Sequence, residues 1–221
     1  MKRAIVQSTE TVTLLGAAQV SDAVLHESLG LAPILVAADG AAARALSAGV
    51  MPDAVIGDMD SIDATSRGAI PPSRLHKIAE QDSTDFDKAL RHIAAPLVLA
   101  VGFTGQRLDH ELAVYNALVR HADRAVIVIG EHDICCHVHM AIRLMLPTGT
   151  RVSLFPMAQL TGRSIGLRWP IDGIEFAPWG RVGTSNQTNE PTIDLHMDGP
   201  GMLLILPRAV LRPLMRALAG G

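Results

Sequence analysis

The chain has 221 residues, enough for one large domain or two small ones, each with its own core. Apolar residues make up 48% and charged residues 19%, a globular balance. The formal net charge of −3 gives no electrostatic basis for binding nucleic acid or an acidic membrane, so a polyanionic ligand needs a metal or individually placed Arg and Lys.

The opening MKRAIVQSTETVTLLG is basic at its start, but Gln, Ser, Thr and Glu break its apolar stretches. That makes a poor secretory leader, and no apolar run in the chain is long enough to span a bilayer. The only cysteines are the neighbours Cys135 and Cys136, a pairing that rarely forms a structural disulfide. These features lead us to expect a cytoplasmic protein.

Up to about residue 130, short apolar runs alternate with helical patterns. Runs 33–38, 54–57, 97–101 and 125–129 read as buried parallel strands. Between them, Phe86, Leu90 and Ile93 fall on one helical face, and Leu108, Leu112, Tyr115 and Val119 on another. After about Glu131 the rhythm changes to short β-like runs at 134–140, 151–155, 163–169, 192–197 and 202–206, punctuated by Gly and Pro. The tail 208–219 reads as a helix that Pro213 interrupts. The expected fold is α/β: an N-terminal parallel-sheet α/β domain, residues 1–131, then a C-terminal antiparallel β-sandwich, residues 132–221.

Four polar motifs follow the N-terminal strands. In ADGAAARAL, Asp39 ends a strand and Gly40 opens a helix, which a helix cap explains by itself. In AVIGDMDSID, Asp58 and Asp60 stand two residues apart just past a strand. Carboxylates so placed either make Asx turns or share a cation, and Mg²⁺ favours a few carboxylates with water and substrate phosphates. In AEQDSTDFDKAL, capping accounts for Thr84 and the nearby acids. Yet Gln81, Asp82, Thr84, Asp85 and Lys88 crowd more polar function into one turn than capping requires. Lys88 lies within reach of a phosphate, and Asp85 can add an oxygen to the cation. In VGFTGQRLDH a strand runs through a Gly-containing loop into a helix, an arrangement that can cradle phosphate, although no Walker Lys follows. Arg107 can bind phosphate with two hydrogen bonds, and Asp109 can accept from a hydroxyl; a surface Arg–Asp pair is the plainer reading. The four motifs together point to a nucleotide–metal crevice at the strand ends.

The segment HDICCHVH puts Cys135, His137 and His139 on one face of a strand. Spacing along a single strand spreads such ligands, so we read a half-exposed strand rather than a metal site.

ADGA, PDAVIGDMDSI, QDSTDFDKAL and TGQRLDH resemble, in order and spacing, the catalytic motifs of thiamine pyrophosphokinases. GLRWP at 166–170 and VGTSNQ at 182–187 resemble that family's vitamin-binding domain. The resemblance implies transfer of pyrophosphate from ATP to thiamine, with Asp58, Asp60 and Asp85 around Mg²⁺. It implies Asp39, Arg107 and Asp109 at the nucleotide, with Gln81 and Thr84 between nucleotide and acceptor. Trp169, Ser185 and Asn186 are implied to hold thiamine, in active sites formed between the subunits of a homodimer. Ala41, Phe103 and Gln106 stand where the family often has Gly, which changes loop shape but spares every acid. The alternatives are a pyrophosphokinase for another hydroxymethyl acceptor, such as a pterin, and a nucleotide or vitamin sensor without turnover.

Overall fold

The computed structural model describes residues 4–80 and 82–219. Two compact units appear, one up to Ala117 together with Val128–Glu131, the other Leu118–Ile127 together with His132 onward. The first carries strands β1 (Val6–Gln7), β2 (Val12–Leu15), β3 (Ile34–Ala38), β4 (Ala54–Gly57), β5 (Leu75–Lys77), β6 (Ile93–Ala94) and β7 (Val98–Val101). Strand β8 (Val126–Ile129) straddles the division. The helices are α1 (Asp22–Leu31), α2 (Ala42–Ser47), α3 (Ala64–Ala69), α4 (Asp85–Arg91) and α5 (Leu108–Arg120).

Strands β7, β2, β3, β4 and β5 lie side by side in that order, all parallel. Residues 12–15, 35–38, 54–56 and 98–101 are buried, as continuous apolar runs in covered parallel strands should be. The chain moves outward from β2 to β5, and β7 then returns to the other flank of β2. Side chains at the carboxyl ends of these strands collect where such a sheet binds ligands. Side-chain oxygens of Ser21, Asp63 and Thr84 cap α1, α3 and α4, accepting from the N–H groups of Val24, Ser66 and Asp87.

The second unit holds β9 (Asp133–Val138), β10 (Ala141–Met145), β11 (Arg151–Pro156), β12 (Gly162–Ile165), β13 (Gly183–Gln187), β14 (Thr192–Met197), β15 (Met202–Pro207) and α6 (Leu211–Ala219). One antiparallel sheet runs β13-β11-β15-β9 and another β10-β14-β12. Their inward positions alternate with exposed ones, most clearly along β10, where Ile142 and Leu144 are buried between exposed Ala141, Arg143 and Met145.

Three expectations change. On α5 the buried residues are Val114, Ala117 and Leu118, while Leu108 and Leu112 are 72% and 56% exposed, because the packed face is set lower on the helix. The run 163–169 stops being a strand after Ile165, because Gly166 takes a left-handed φ of 79° against the Thr192 carbonyl. Pro213 does not interrupt the tail: it is the third residue of α6, where a missing N–H costs no helical hydrogen bond.

Arg143 grips Asp194 across β10 and β14 through two hydrogen bonds, at 2.6 and 2.9 Å. That hydrogen bond, with the guanidinium charge, holds the Asp194 carboxyl below its ordinary pKa. A carboxyl depressed in the folded state adds stability above its unfolded pKa and loses it as pH falls through the folded value. Asp194→Asn should therefore lower Tm near neutral pH by about 2–4 °C at most, Arg143 being exposed. The difference from wild type should shrink as pH drops below about 4. Thermal melts of both proteins between pH 7 and 3 check this.

Candidate active site

The acidic motifs converge at the strand ends. Asp39 follows β3, while Asp58 and Asp60 follow β4. A carboxylate oxygen of each lies within 4.8 Å of the others, the one such group of three or more His, Cys, Asp or Glu ligands among the described residues. Clustered carboxylate oxygens suit a hard divalent cation such as Mg²⁺.

Asp39 shapes this corner. Its side chain is buried, and its two oxygens accept from the N–H groups of Gly40 at 2.9 Å and Met59 at 2.7 Å. Met59 sits at φ 68°, uncommon for a residue with a side chain, and the Asp39 bond braces that strained turn between Asp58 and Asp60. Gly57 makes room, since a Cβ there would lie 2.4 Å from the Asp39 carboxyl carbon. Burial raises the Asp39 pKa, helped by the negative charge of Asp85.

Helix α4 brings the second set. Thr84 caps it, leaving Asp85 and Lys88 one turn apart. Lys88 is only 3% exposed, and its Nζ lies 3.0 Å from Asp58 and 3.5 Å from Asp85. Burial opposes charging Lys88, but the hydrogen bond to Asp58 and the charges of Asp85 and Asp58 carry its pKa above the ordinary value. The same hydrogen bond is the main reason the Asp58 pKa falls to about 2. Of the expected metal set, Asp58 and Asp60 are together, and Asp85 adjoins them through Lys88. Asp39, expected at the nucleotide, stands in the tight group with Asp58 and Asp60. Gln81 lies outside the described residues.

The loop after β7 is braced by Ala18 N–H on the Gly102 carbonyl, 2.9 Å. Phe103 packs edge-on against buried Phe86, ring centres 4.9 Å apart, so the residue that replaces a common Gly fills apolar space. Arg107 and Asp109 are exposed and pair with each other, 2.6 Å between Nη2 and Oδ2. Glu111, which the sequence reading missed, accepts from the Gly105 N–H at 2.8 Å, an amide of the loop expected to cradle phosphate. A helical i to i+4 pairing with Tyr115, whose hydroxyl donates to it at 2.8 Å, was the available sequence signal.

The second unit has its own cavity of about 510 Å³, a size usual for small-ligand sites. Trp169, Ser185 and Asn186 line it, with Ile171, Ile174, Phe176 and Arg181. A register shift in β11 between Val152 and Leu154 and a φ of 62° at Ser185 disturb the regular alternation of β13. Away from this cavity, His137 Nε2 accepts from the Gly201 N–H at 2.9 Å, and both cysteines are buried thiols whose pKa burial pushes up, Cys136 to about 12.

A parallel sheet with an acid-lined, Lys-buttressed crevice at its carboxyl end defines an α/β unit whose crevice can hold a divalent cation. Residues 25–129 match the family model described as thiamin pyrophosphokinase, catalytic domain. Through that segment, a little under half of its length, the chain is similar to the thiamine pyrophosphokinase family. It is 28% identical over 175 residues to thiamine pyrophosphokinase 2 of Arabidopsis thaliana, covering 66% of this chain and 62% of the relative. It is 26% identical over 174 residues to thiamine pyrophosphokinase 1 of Oryza sativa subsp. japonica, covering 66% and 63%. The match thus spans a little under two thirds of these relatives' length. In fold, the chain is similar to the thiamin pyrophosphokinase from Geobacillus thermodenitrificans, at TM-score 0.72 and 21% identity, covering 89% of this chain and 96% of that one. It is also similar to yeast thiamin pyrophosphokinase, at TM-score 0.74 and 16% identity, covering 93% and 92%.

Two variants test the crevice. Gly57→Ala should displace the Asp39 carboxylate and weaken Mn²⁺ binding, read by electron paramagnetic resonance, by about tenfold or more. Lys88→Met leaves Asp58 without its buried cation and should cost about 3 kcal/mol in metal-free urea melts, with added Mg²⁺ narrowing the loss. Unchanged Mn²⁺ affinity in the first, or a Mg²⁺-independent loss in the second, contradicts the geometry.

Proposed function

We propose that the chain is an ATP:thiamine pyrophosphotransferase that works in the cytoplasm as a homodimer, with each active site formed between subunits. The observation that carries this is the Asp39, Asp58, Asp60 and Lys88 crevice lying within the family-matched segment. Agreement between that match and the vitamin-domain motifs around Trp169 supports thiamine over a pterin as acceptor. Among the described residues no helix is long and apolar enough to cross a membrane, and both thiols are free, which favours the cytoplasmic assignment. We read residues 1–131 as the ATP- and Mg²⁺-binding catalytic domain. Residues 132–221, with their two antiparallel sheets, we read as a β-sandwich that takes thiamine.

In this reading Asp58, Asp60 and Asp85 would hold Mg²⁺, which would supply charge neutralisation and orientation to the polyphosphate. Asp39 braces the turn that presents Asp58 and Asp60, and Lys88 keeps Asp58 ionised and in place. Arg107 exchanges part of its bond with Asp109 for a phosphate oxygen, and Thr84 and Gln81 border the acceptor. The acceptor hydroxyl attacks the β-phosphorus. A new oxygen–phosphorus bond forms, the bond from the β-phosphorus to the α,β-bridging oxygen breaks, and AMP leaves. The hydroxyl proton passes to a nearby carboxylate or to water. Catalysis comes from positioning and charge stabilisation. Trp169 offers a face to the flat rings of thiamine, and Ser185 and Asn186 lie beside it.

Purified protein with thiamine and MgATP should release AMP in step with thiamine diphosphate, and a hydroxymethylpterin should not replace thiamine. ATP binding without AMP release favours a sensor, and AMP release only with the pterin favours the other acceptor. Arg107→Ala should raise KM for ATP, lower kcat, or both, by about tenfold in kcat/KM; unchanged ATP kinetics return Arg107 to a surface pair. Inactive Asp60→Asn and Trp169→Ala subunits should regain part of the activity when mixed, and no recovery despite proven exchange argues against sites shared by two subunits.

A further inference from the structure

Trp169 is 52% exposed, yet its backbone and ring are both held. The segment before it is tied to the end of β13 without forming a strand: Leu167 makes an isolated bridge with Thr188, and the Arg168 N–H donates to the Gln187 carbonyl at 2.8 Å. At Trp169 the main-chain ladder ends and the carboxamide of Asn186 takes its place. Its oxygen accepts from the Trp169 N–H at 3.2 Å, and its Nδ2 donates to the Trp169 carbonyl at 2.6 Å. The same oxygen accepts from the Gln187 N–H at 2.7 Å, so both ends of the carboxamide are committed to backbone. Pro170 follows and has no N–H with which to continue a ladder. The ring has a second anchor. The Arg168 guanidinium carbon lies 4.8 Å from the indole centre, and its Nη1 donates to Gln187 Oε1 at 3.2 Å. Gln187 Nε2 in turn donates to the Gly149 carbonyl at 3.0 Å.

We propose that Asn186 and Arg168 are positioning residues that set Trp169 as a fixed wall of the 510 Å³ cavity, ready for a flat aromatic ring, and that Asn186 acts through Trp169 rather than on the substrate. Arg168 enters the sequence only as a letter of the GLRWP motif, with no role of its own, and Asn186 enters there as a direct contact. A wall set before binding spares the ligand the cost of ordering it, so loosening the wall raises KM and leaves the chemical step alone. This inference rests on the reading that the cavity takes thiamine.

The test is a double-mutant cycle of Asn186→Ala with Trp169→Leu, following KM for thiamine, KM for ATP and kcat. Asn186→Ala alone should raise KM for thiamine about tenfold, with KM for ATP unchanged and kcat within about threefold. In the Trp169→Leu background it should add less than about twofold. Effects that simply add make Asn186 a direct substrate contact and overturn the proposal. A second arm needs no substrate. In a Trp179→Phe background, which leaves Trp169 as the one indole, Asn186→Ala should lower fluorescence anisotropy and increase acrylamide quenching; no change in either overturns the clamp. If Asn186→Ala does not fold, Arg168→Ala, at an exposed site, runs through both arms with an expected KM rise of about threefold and is held to the same outcomes. Failure of the wild type to turn over thiamine removes the functional reading, while the fluorescence arm still decides the clamp.

Discussion

Like-charge repulsion governs the first unit. Asp39, Asp58, Asp60 and Asp85 approach one corner of the parallel sheet, and such carboxylates do not share a crevice unless something opposes their charge. The opposition is local. Lys88, buried and bonded to Asp58, supplies the cation, and backbone N–H groups of Gly40 and Met59 take both oxygens of Asp39. Those bonds require the close pass of Gly57 and the left-handed turn at Met59, so the backbone path after β4 is tied to the charge pattern. Phe86 and Leu90, buried on α4, then fix the helix that carries Lys88.

The second unit solves a different problem with similar economy. Its cavity keeps the large aromatic surface of Trp169 accessible in a β structure whose regular pleat would bury it or turn it to open solvent. Irregularity provides the exception. The register shift in β11 and the left-handed Ser185 break the alternation of β13, and the side chain of Asn186 substitutes for a missing ladder partner. Ser185 is not left unsupported, because its N–H donates to the Ser153 hydroxyl at 3.0 Å. The polar side chains of Asn186 and Ser153 beside the cavity are thus committed to backbone geometry.

The apolar runs of β3, β4, β7, β11, β14 and β15 were legible because period and composition agree there. The strand VTLL of β2 was hidden by the polar segment before it, and GTSNQ of β13 by having no apolar signature at all. The face drawn through Leu108 and Leu112 has correct helical spacing, but spacing does not say which stripe a sheet will cover. The acids were visible as strand-end motifs. Their arrangement was not, since the place of Asp39 beside Asp58 depends on the pairing of β3 with β4, a contact between distant segments. Lys88 was readable as a cation near phosphate, but its burial against Asp58 was not, because an exposed and a buried Lys have the same letter in a helix.

On the proposed function, that burial carries an electrostatic consequence for how a polyphosphate would enter. Four carboxylates against one ammonium leave the corner negative, even with the Asp39 carboxyl shifted toward its neutral form. Arg107, the cation of the motif after β7, is paired with Asp109. A bare polyphosphate would meet repulsion, and the whole chain, at −3, offers no long-range attraction to offset it. A polyphosphate carrying its own divalent cation would meet the opposite situation, because the cation would bring positive charge to oxygens that Asp39 and Lys88 already hold in place. The crevice therefore favours the metal complex over the free anion by charge alone, before any contact with base or sugar is counted.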